Sequence, residues 1–457
     1  MMRTEPIFLI TVKKDITMRT SLSLLAASVG VIFAAGTSQV MAQGFTLYAP
    51  DVATMGTAYA GAAASAENAS VVATNPAAMS RLDGVNVTLN NTLVLAKTDI
   101  KNPVGSAPGT NKGDMVPRIL VGSAFITFPH VLLDNLSVGL GLYAPFGLKT
   151  NYESTFQGRA FGDKSTVTVV TFQPTISYAF TPSFSAGAGL TVNHFNGVLT
   201  SGISPAFPNA TQELDGARNA FGYNVGFLFT PITDLNIGLT YHSEVEYDIR
   251  GNTQVLNAPI TSTPYTFNAK GRGNLVITTP DSLELAATYK IVPTVELKAG
   301  ITRTNWSTIG VLAPKSTFAA SGVSTSVPLP AVYKSVIAGT LNAGGSKEVV
   351  NFEDVNMYSL GASWKVQPNL TLRAGVAYDE SPATEKDRNV RIPTADRAIY
   401  AVGANYALSE NTSTDIAYNY LHESNAHISR ADPSKGIYQA DFKNTGHLIA
   451  VQLNHKF

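Results

Sequence analysis

Few residues in this chain are spaced for covalent chemistry. Its seven histidines are scattered. Only His422 and His427 fall close together, with no cysteine nearby and no metal-ligand spacing. Glu244 and Glu246 alternate along an extended segment, so their carboxylates share a face. Beside a long polar loop that face reads as a solvated rim rather than an acid–base pair. Arg388, Arg391, Asp396 and Arg397 cluster in one stretch. Ion pairs that hold a loop are their expected use, with a weak anion site as the alternative. Gly187-Ala188-Gly189 and Gly139-Leu140-Gly141 lack the strand–loop–helix setting of a nucleotide site. No serine stands beside a recognisable His and acid, which disfavours a barrel lipase. The expectation is a protein that is not an enzyme, with no metal and no cofactor.

Composition points elsewhere. Basic and acidic residues balance at 32 each, so no nucleic-acid partner is expected. Charged residues make up 14% of the chain, well below the usual quarter or so. Hydrophobic residues reach 44%, yet no apolar run beyond the N-terminus is long enough for a spanning helix. Apolar residues that alternate with polar ones fit a membrane β-barrel. The absence of cysteine excludes a disulfide scaffold and thiol catalysis.

Residues 1–42 read as a signal peptide. Met18-Arg19 opens a basic region, residues 22–35 are apolar, and Val40-Met41-Ala42 suits cleavage after Ala42. Residues 1–17 read as an over-long start. Residues 43–84 are rich in Ala, Gly, Ser and Thr, small enough to fold as a plug inside another structure. From residue 85 to 457, about fourteen segments alternate with period two. In the first, Val85, Val87, Leu89, Leu93 and Leu95 share one face, and Asn86, Thr88, Asn90 and Thr92 the other.

Connections carry a second signal. Short turns at 130–135, 181–183, 230–234, 290–294, 365–369 and 407–411 often combine Pro with Asp or Asn. Long connections at 97–117, 145–164, 196–219, 243–280, 303–354, 380–396 and 421–445 alternate with them. Outer-membrane barrels are wired in this way. The expected fold is therefore all-β: a transmembrane antiparallel β-barrel of about fourteen strands with an N-terminal plug in its lumen. Tyr143, Tyr241, Tyr289, Trp364, Tyr378, Tyr406 and Tyr420 stand at strand ends and suit interfacial girdles. Phe457 ends the last alternating strand, where barrels present an aromatic to their assembly machinery.

Four stretches together resemble the FadL-type outer-membrane transporters of long-chain fatty acids and other hydrophobic compounds. They are Gly44-Phe45 with Gly56-Thr57-Ala58-Tyr59-Ala60-Gly61 and Asn75-Pro76-Ala77; Gly158-Arg159 with Gln173-Pro174-Thr175-Ile176-Ser177-Tyr178 and residues 185–190; residues 372–382; and Ile392-Pro393-Thr394-Ala395-Asp396-Arg397. Gln173 departs from the Asn expected there. The resemblance implies a hatch at the periplasmic side, capture among extracellular loops, an inner pocket near the mature N-terminus, and a sideways exit at a kink in strand three.

Residues for these roles follow. Ile203, Phe207, Val255, Leu256 and Phe267 of loops three and four are expected to form the capture surface. Phe45 and Leu47 alternate after the mature terminus and can turn an apolar face toward the inner pocket. In the hatch, Pro76 fixes φ and restricts Asn75, Asn75 can satisfy backbone groups, and Ala77 permits close approach to the wall. Gly139 and Gly141 point to one face of strand three; they either make room for the plug or mark the kink, and the resemblance favours the kink. The expected partners are a hydrophobic small-molecule substrate, outer-membrane lipid and the barrel assembly machinery, with the protein a monomer. A diffusion porin and a loop-bearing adhesion barrel are the alternative functions.

Overall fold

The computed structural model describes residues 45–47, 50–207, 209–260, 263–344 and 347–457. The signal peptide expected at 1–42 and the cleavage point lie outside these residues. The alternating segments form strands because each turns one face to lipid and one to the lumen. They are β1 (Asn86–Gly105), β2 (Ile119–Phe128), β3 (Leu136–Asn151), β4 (Lys164–Thr181), β5 (Phe184–Gly202), β6 (Thr211–Ile232), β7 (Leu235–His242), β8 (Val245–Pro259), β9 (Thr266–Thr279) and β10 (Ser282–Val292). Then follow β11 (Val295–Thr304), β12 (Val311–Leu312), β13 (Lys315–Thr325), β14 (Glu348–Val349), β15 (Val355–Gln367), β16 (Leu370–Asp379), β17 (Arg397–Ala407), β18 (Thr412–Glu423), β19 (Ala426–Asp432) and β20 (Gly436–Lys456).

Fourteen of them, β1 to β7, β10, β11, β15 to β18 and β20, close an antiparallel barrel, with β20 paired to β1 from Lys456↔Asn86 upward. Closure gives every barrel strand a partner on both sides, over part of its length at least, in a solvent that offers no hydrogen bonds. Leu283 and Leu285 face outward, half exposed, and Glu284 between them faces the lumen. Tyr289, Trp364, Tyr378 and Tyr406 are exposed on the outer surface. Tyr143 is the exception among the expected girdle residues. It is buried, and its hydroxyl donates to Gln173 Oε1 at 2.6 Å.

The strands run on into segments that the pattern assigned to loops. The β1–β20 ladder reaches Gly105↔Tyr438, and β8 and β9 continue β7 and β10 as one long hairpin. Inward positions on β7 are even-numbered and on β8 odd-numbered, with Ser243 and Glu244 between them. The same reversal separates β9 from β10 at Pro280 and Asp281. One extra residue flips every side chain to the other face. Beyond the reversal Val245, Tyr247 and Ile249 point inward, while Glu244 and Glu246 are exposed. β13 adds to β9, and a helix, Ala331–Ala343, packs on β13.

Candidate functional site

The hatch is built of short turns capped by its own side chains. Asp51 caps α1 (Val52–Met55) through Ala53 and Thr54 N–H, and Asn68 Nδ2 donates to Asp51 Oδ1 at 3.0 Å. A second short helix, α2 (Val71–Thr74), leads into a 3-10 turn, Pro76–Arg81. Asn75 caps that turn. Its Oδ1 accepts from Ala77 N–H at 3.0 Å, and its Nδ2 donates to Ala63 O and to Phe227 O of β6. Ser177 and Ser185 hydroxyls from β4 and β5 donate to Ala77 O at 3.1 and 2.9 Å. The Asn-Pro-Ala motif is thus held to three wall strands at once. Gly226 faces Asn75, and a Cβ there would meet Asn75 Oδ1 at 2.0 Å, so only glycine lets the motif lie against β6.

Wall side chains hold the rest. Gln452 Oε1 accepts from Val52 N–H, Glu284 Oε1 from Ala63 N–H, and Asn90 Nδ2 donates to Pro50 O. Gln173, the departure from the family pattern, is fully buried and its Nε2 donates to Val72 O at 2.5 Å. Glu67 is gripped from two sides, by Lys298 Nζ and, at 2.6 Å, by Arg373, which also meets Asp415 at 2.6 Å. Burial alone would raise the Glu67 carboxyl. The two cations outweigh it and hold the carboxyl well below the ordinary range.

Above the hatch, residues 45–47 form a partition. Thr46 bridges Phe146 of β3, with Leu47 N–H donating to Pro145 O and Gly147 N–H to Phe45 O. This segment takes the edge of β3 that β2 leaves. The β2–β3 ladder runs from Phe128↔Val138 to Ala124↔Leu142 and stops, although β2 stays paired to β1 as far as Ile119. At the same level β3 slips register against β4 between Tyr143 and Phe146, around Pro145, which has no N–H to give a ladder. Gly139 and Gly141 sit below this break in an unbroken ladder, opposite Thr127 and Phe125. They face the hatch: a Cβ on Gly139 would meet Met79 and Val72.

Two cavities flank the partition. The upper one encloses about 770 Å³ of empty space, counting its mouth, between Phe45 below, Leu148, Phe195 and Ile249 of the wall, and Ile309 and Phe352 of loop five. Phe45 packs against Trp306 and Phe146 with ring centroids 4.9 and 5.7 Å apart, a burial that stabilises by roughly 1.5–3 kcal/mol. The lower cavity, about 1100 Å³ counting its mouth, has Leu47 on one side and the hatch on the other, and reaches Tyr143, Pro145 and Phe146 at the wall break. Phe45 and Leu47 thus serve different cavities.

The expected capture residues have another setting. Ile203, Val255 and Phe267 meet in an apolar cluster with Phe318, Val323 and Ala338, under the helix at Ala331–Ala343. Leu256 is partly buried beside it, and Phe207 is exposed. None of the five lines either cavity. The upper-cavity residues of β8 and β9 escaped the sequence reading because it took 243–280 as loop. The alternation Val245, Glu246, Tyr247, Asp248, Ile249 was the available signal. Of the arginine cluster, Arg388 holds backbone carbonyls of Thr394, His427 and Ala383, Arg391 pairs with Glu348 at 3.1 Å, and Arg397 with Asp379 at 3.2 Å. His427 pairs with Asp441 at 2.7 Å, and His422 is exposed.

A plugged outer-membrane barrel with internal apolar cavities defines a class of transport protein. The chain belongs to the family described as outer membrane protein transport protein (OMPP1/FadL/TodX), whose model matches residues 33–457. It is 27% identical to outer membrane protein P1 of Haemophilus influenzae, over 89% of this chain and 91% of that one. It is 24% identical to the long-chain fatty acid transport protein of Salmonella typhi, over 95% and 98%. Its fold matches a FadL homologue of Pseudomonas aeruginosa with a TM-score of 0.74 at 19% identity, covering 91% of this chain and all of that one. The protein is an outer-membrane β-barrel of this family.

Proposed function

We propose that the protein takes up long-chain fatty acids or other hydrophobic small molecules without chemical change. Ligand enters the upper cavity from the loops, passes the partition at Phe45 and Leu47 into the lower cavity, and leaves sideways between β2 and β3. The observation that carries this reading is the lower cavity's contact with the wall break at Tyr143, Pro145 and Phe146. Each methylene kept out of water along that route retains about 0.8 kcal/mol. A hatch tied to β4, β5, β6 and β20 beneath the cavity favours this route over an open aqueous pore.

Continuing the β2–β3 register would set Val121 opposite Pro145. The chain has no cysteine, so cysteines at these two positions form the only disulfide. Oxidation should stop uptake of a labelled hydrophobe and reduction should restore it. Undiminished uptake in the oxidised barrel would place the exit elsewhere. Lipid extraction and mass spectrometry of the purified protein should recover hydrophobic compounds; recovery of polar solutes alone, or a large steady ion current, would reject the transporter reading.

A further inference from the structure

The upper cavity has one cation and two carboxylates among its described lining residues: Arg391, Glu348 and Asp215. Arg391 is already engaged. Its Nε donates to Glu348 Oε2 at 3.1 Å, and one terminal nitrogen donates to Lys164 O and Ser165 Oγ at 3.2 and 3.0 Å. Both side chains of the pair are nearly buried, 10% and 18% exposed. The lower cavity offers no Lys or Arg among its described lining residues, and Glu284 lies on its wall. A carboxylate leaving water here finds no free cation, and an unpaired buried charge is strongly disfavoured.

We propose that Glu348 sets the ligand class of this site: it occupies the carboxylate position on Arg391, so the cavity holds uncharged hydrophobes in preference to long-chain carboxylates. This rests on the uptake reading above and narrows it. Glu348 lies on β14, paired to β12 at Leu312, so loop five itself carries the internal carboxylate into the cavity wall. Where Arg391 would read an acid head group, the chain has supplied its own.

The test uses the full barrel in phosphatidylcholine nanodiscs. Dodecanol and dodecanoate compete with the fluorescent hydrophobe N-phenyl-naphthylamine at about pH 8, where the acid is ionised. The readout is the ratio of the two inhibition constants, which cancels most of the difference in chain partitioning. Glu348→Gln frees the guanidinium with little change of shape and should move the ratio toward the acid by about tenfold or more. Arg391→Gln should not weaken dodecanoate relative to dodecanol, and the double variant should bring the ratio back toward wild type. An unchanged ratio in Glu348→Gln, or loss of wild-type dodecanoate binding in Arg391→Gln, overturns the proposal while leaving the uptake reading intact. If neither compound competes in any form of the protein, the cavity is not a ligand site and both readings fall.

Discussion

The lower and upper halves of the barrel wall use the same alternation for opposite ends. On β10 Leu283 and Leu285 face outward and Glu284 faces in. On β8, continuous with the neighbouring strand, Glu244 and Glu246 stand outside and Val245, Tyr247 and Ile249 inside. In the lower half the outer medium is lipid and the lumen is filled by a polar-anchored hatch. In the upper half the outer medium is water and the interior is apolar empty space. The breaks at Ser243-Glu244 and Pro280-Asp281, opposite one another in the hairpin, convert one arrangement into the other. A transporter of hydrophobes needs both: a wall that lipid accepts, and above it a largely apolar pocket.

The sharpest test of the lower half concerns its filling. Replacing Asn75-Pro76-Ala77 by three glycines removes three side-chain hydrogen bonds and the restraint at Pro76. At about 1 kcal/mol each for the bonds alone, the hatch should loosen by roughly 3 kcal/mol or more. Hydrogen exchange over residues 50–83 should rise and uptake fall while the barrel still assembles; normal uptake removes the motif from the mechanism. On the outer faces, Leu285→Arg puts a charge toward lipid and should destabilise the barrel by about 2–4 kcal/mol in urea unfolding from bilayers. A value near zero there would mean that β10 is not lipid-facing at this level.

Glu67→Gln should loosen the hatch by about 1 kcal/mol, because it removes a charge from Lys298 and Arg373 while leaving hydrogen-bond capacity, and the Glu67 side chain is 33% exposed, so solvent screens the pair. Exchange around residues 64–70 reports it, and unchanged protection would make the cluster a bystander. The same carboxyl predicts a pH profile. Its folded value lies below the unfolded value of about 4.3, so its contribution is complete above that pH and fades only as pH falls further. The Glu67 contribution to hatch protection, read as the difference between wild type and Glu67→Gln, should therefore stay flat from about pH 8 to 5; a difference that shrinks within that range would overturn it. The smallest effect belongs to the upper rim: Glu246→Arg faces water and should change stability by no more than about 0.5 kcal/mol. A loss comparable to that of Leu285→Arg would erase the contrast between the two halves.

The sequence by itself determined the barrel, its plug and the family. Period-two alternation is local, and lipid on one side forces it to be regular, so strands such as β5, β10 and β16 were legible residue by residue. Small residues at 43–84 and the spacing of Asn75-Pro76-Ala77 marked the hatch. What tertiary structure decided was everything that depends on a register slip. β3 slips register at Tyr143 to Phe146, while Gly139 and Gly141 face the hatch in an unbroken ladder, because whether glycine bends a strand or seats a plug depends on what packs against it. The apolar inner face of β8 and β9 was hidden, because one extra residue reverses the pattern and the outer medium changes from lipid to water at the same height. The pairing of Arg391 with Glu348 joins residues far apart in the chain, and only folding brings such a pair to one cavity wall.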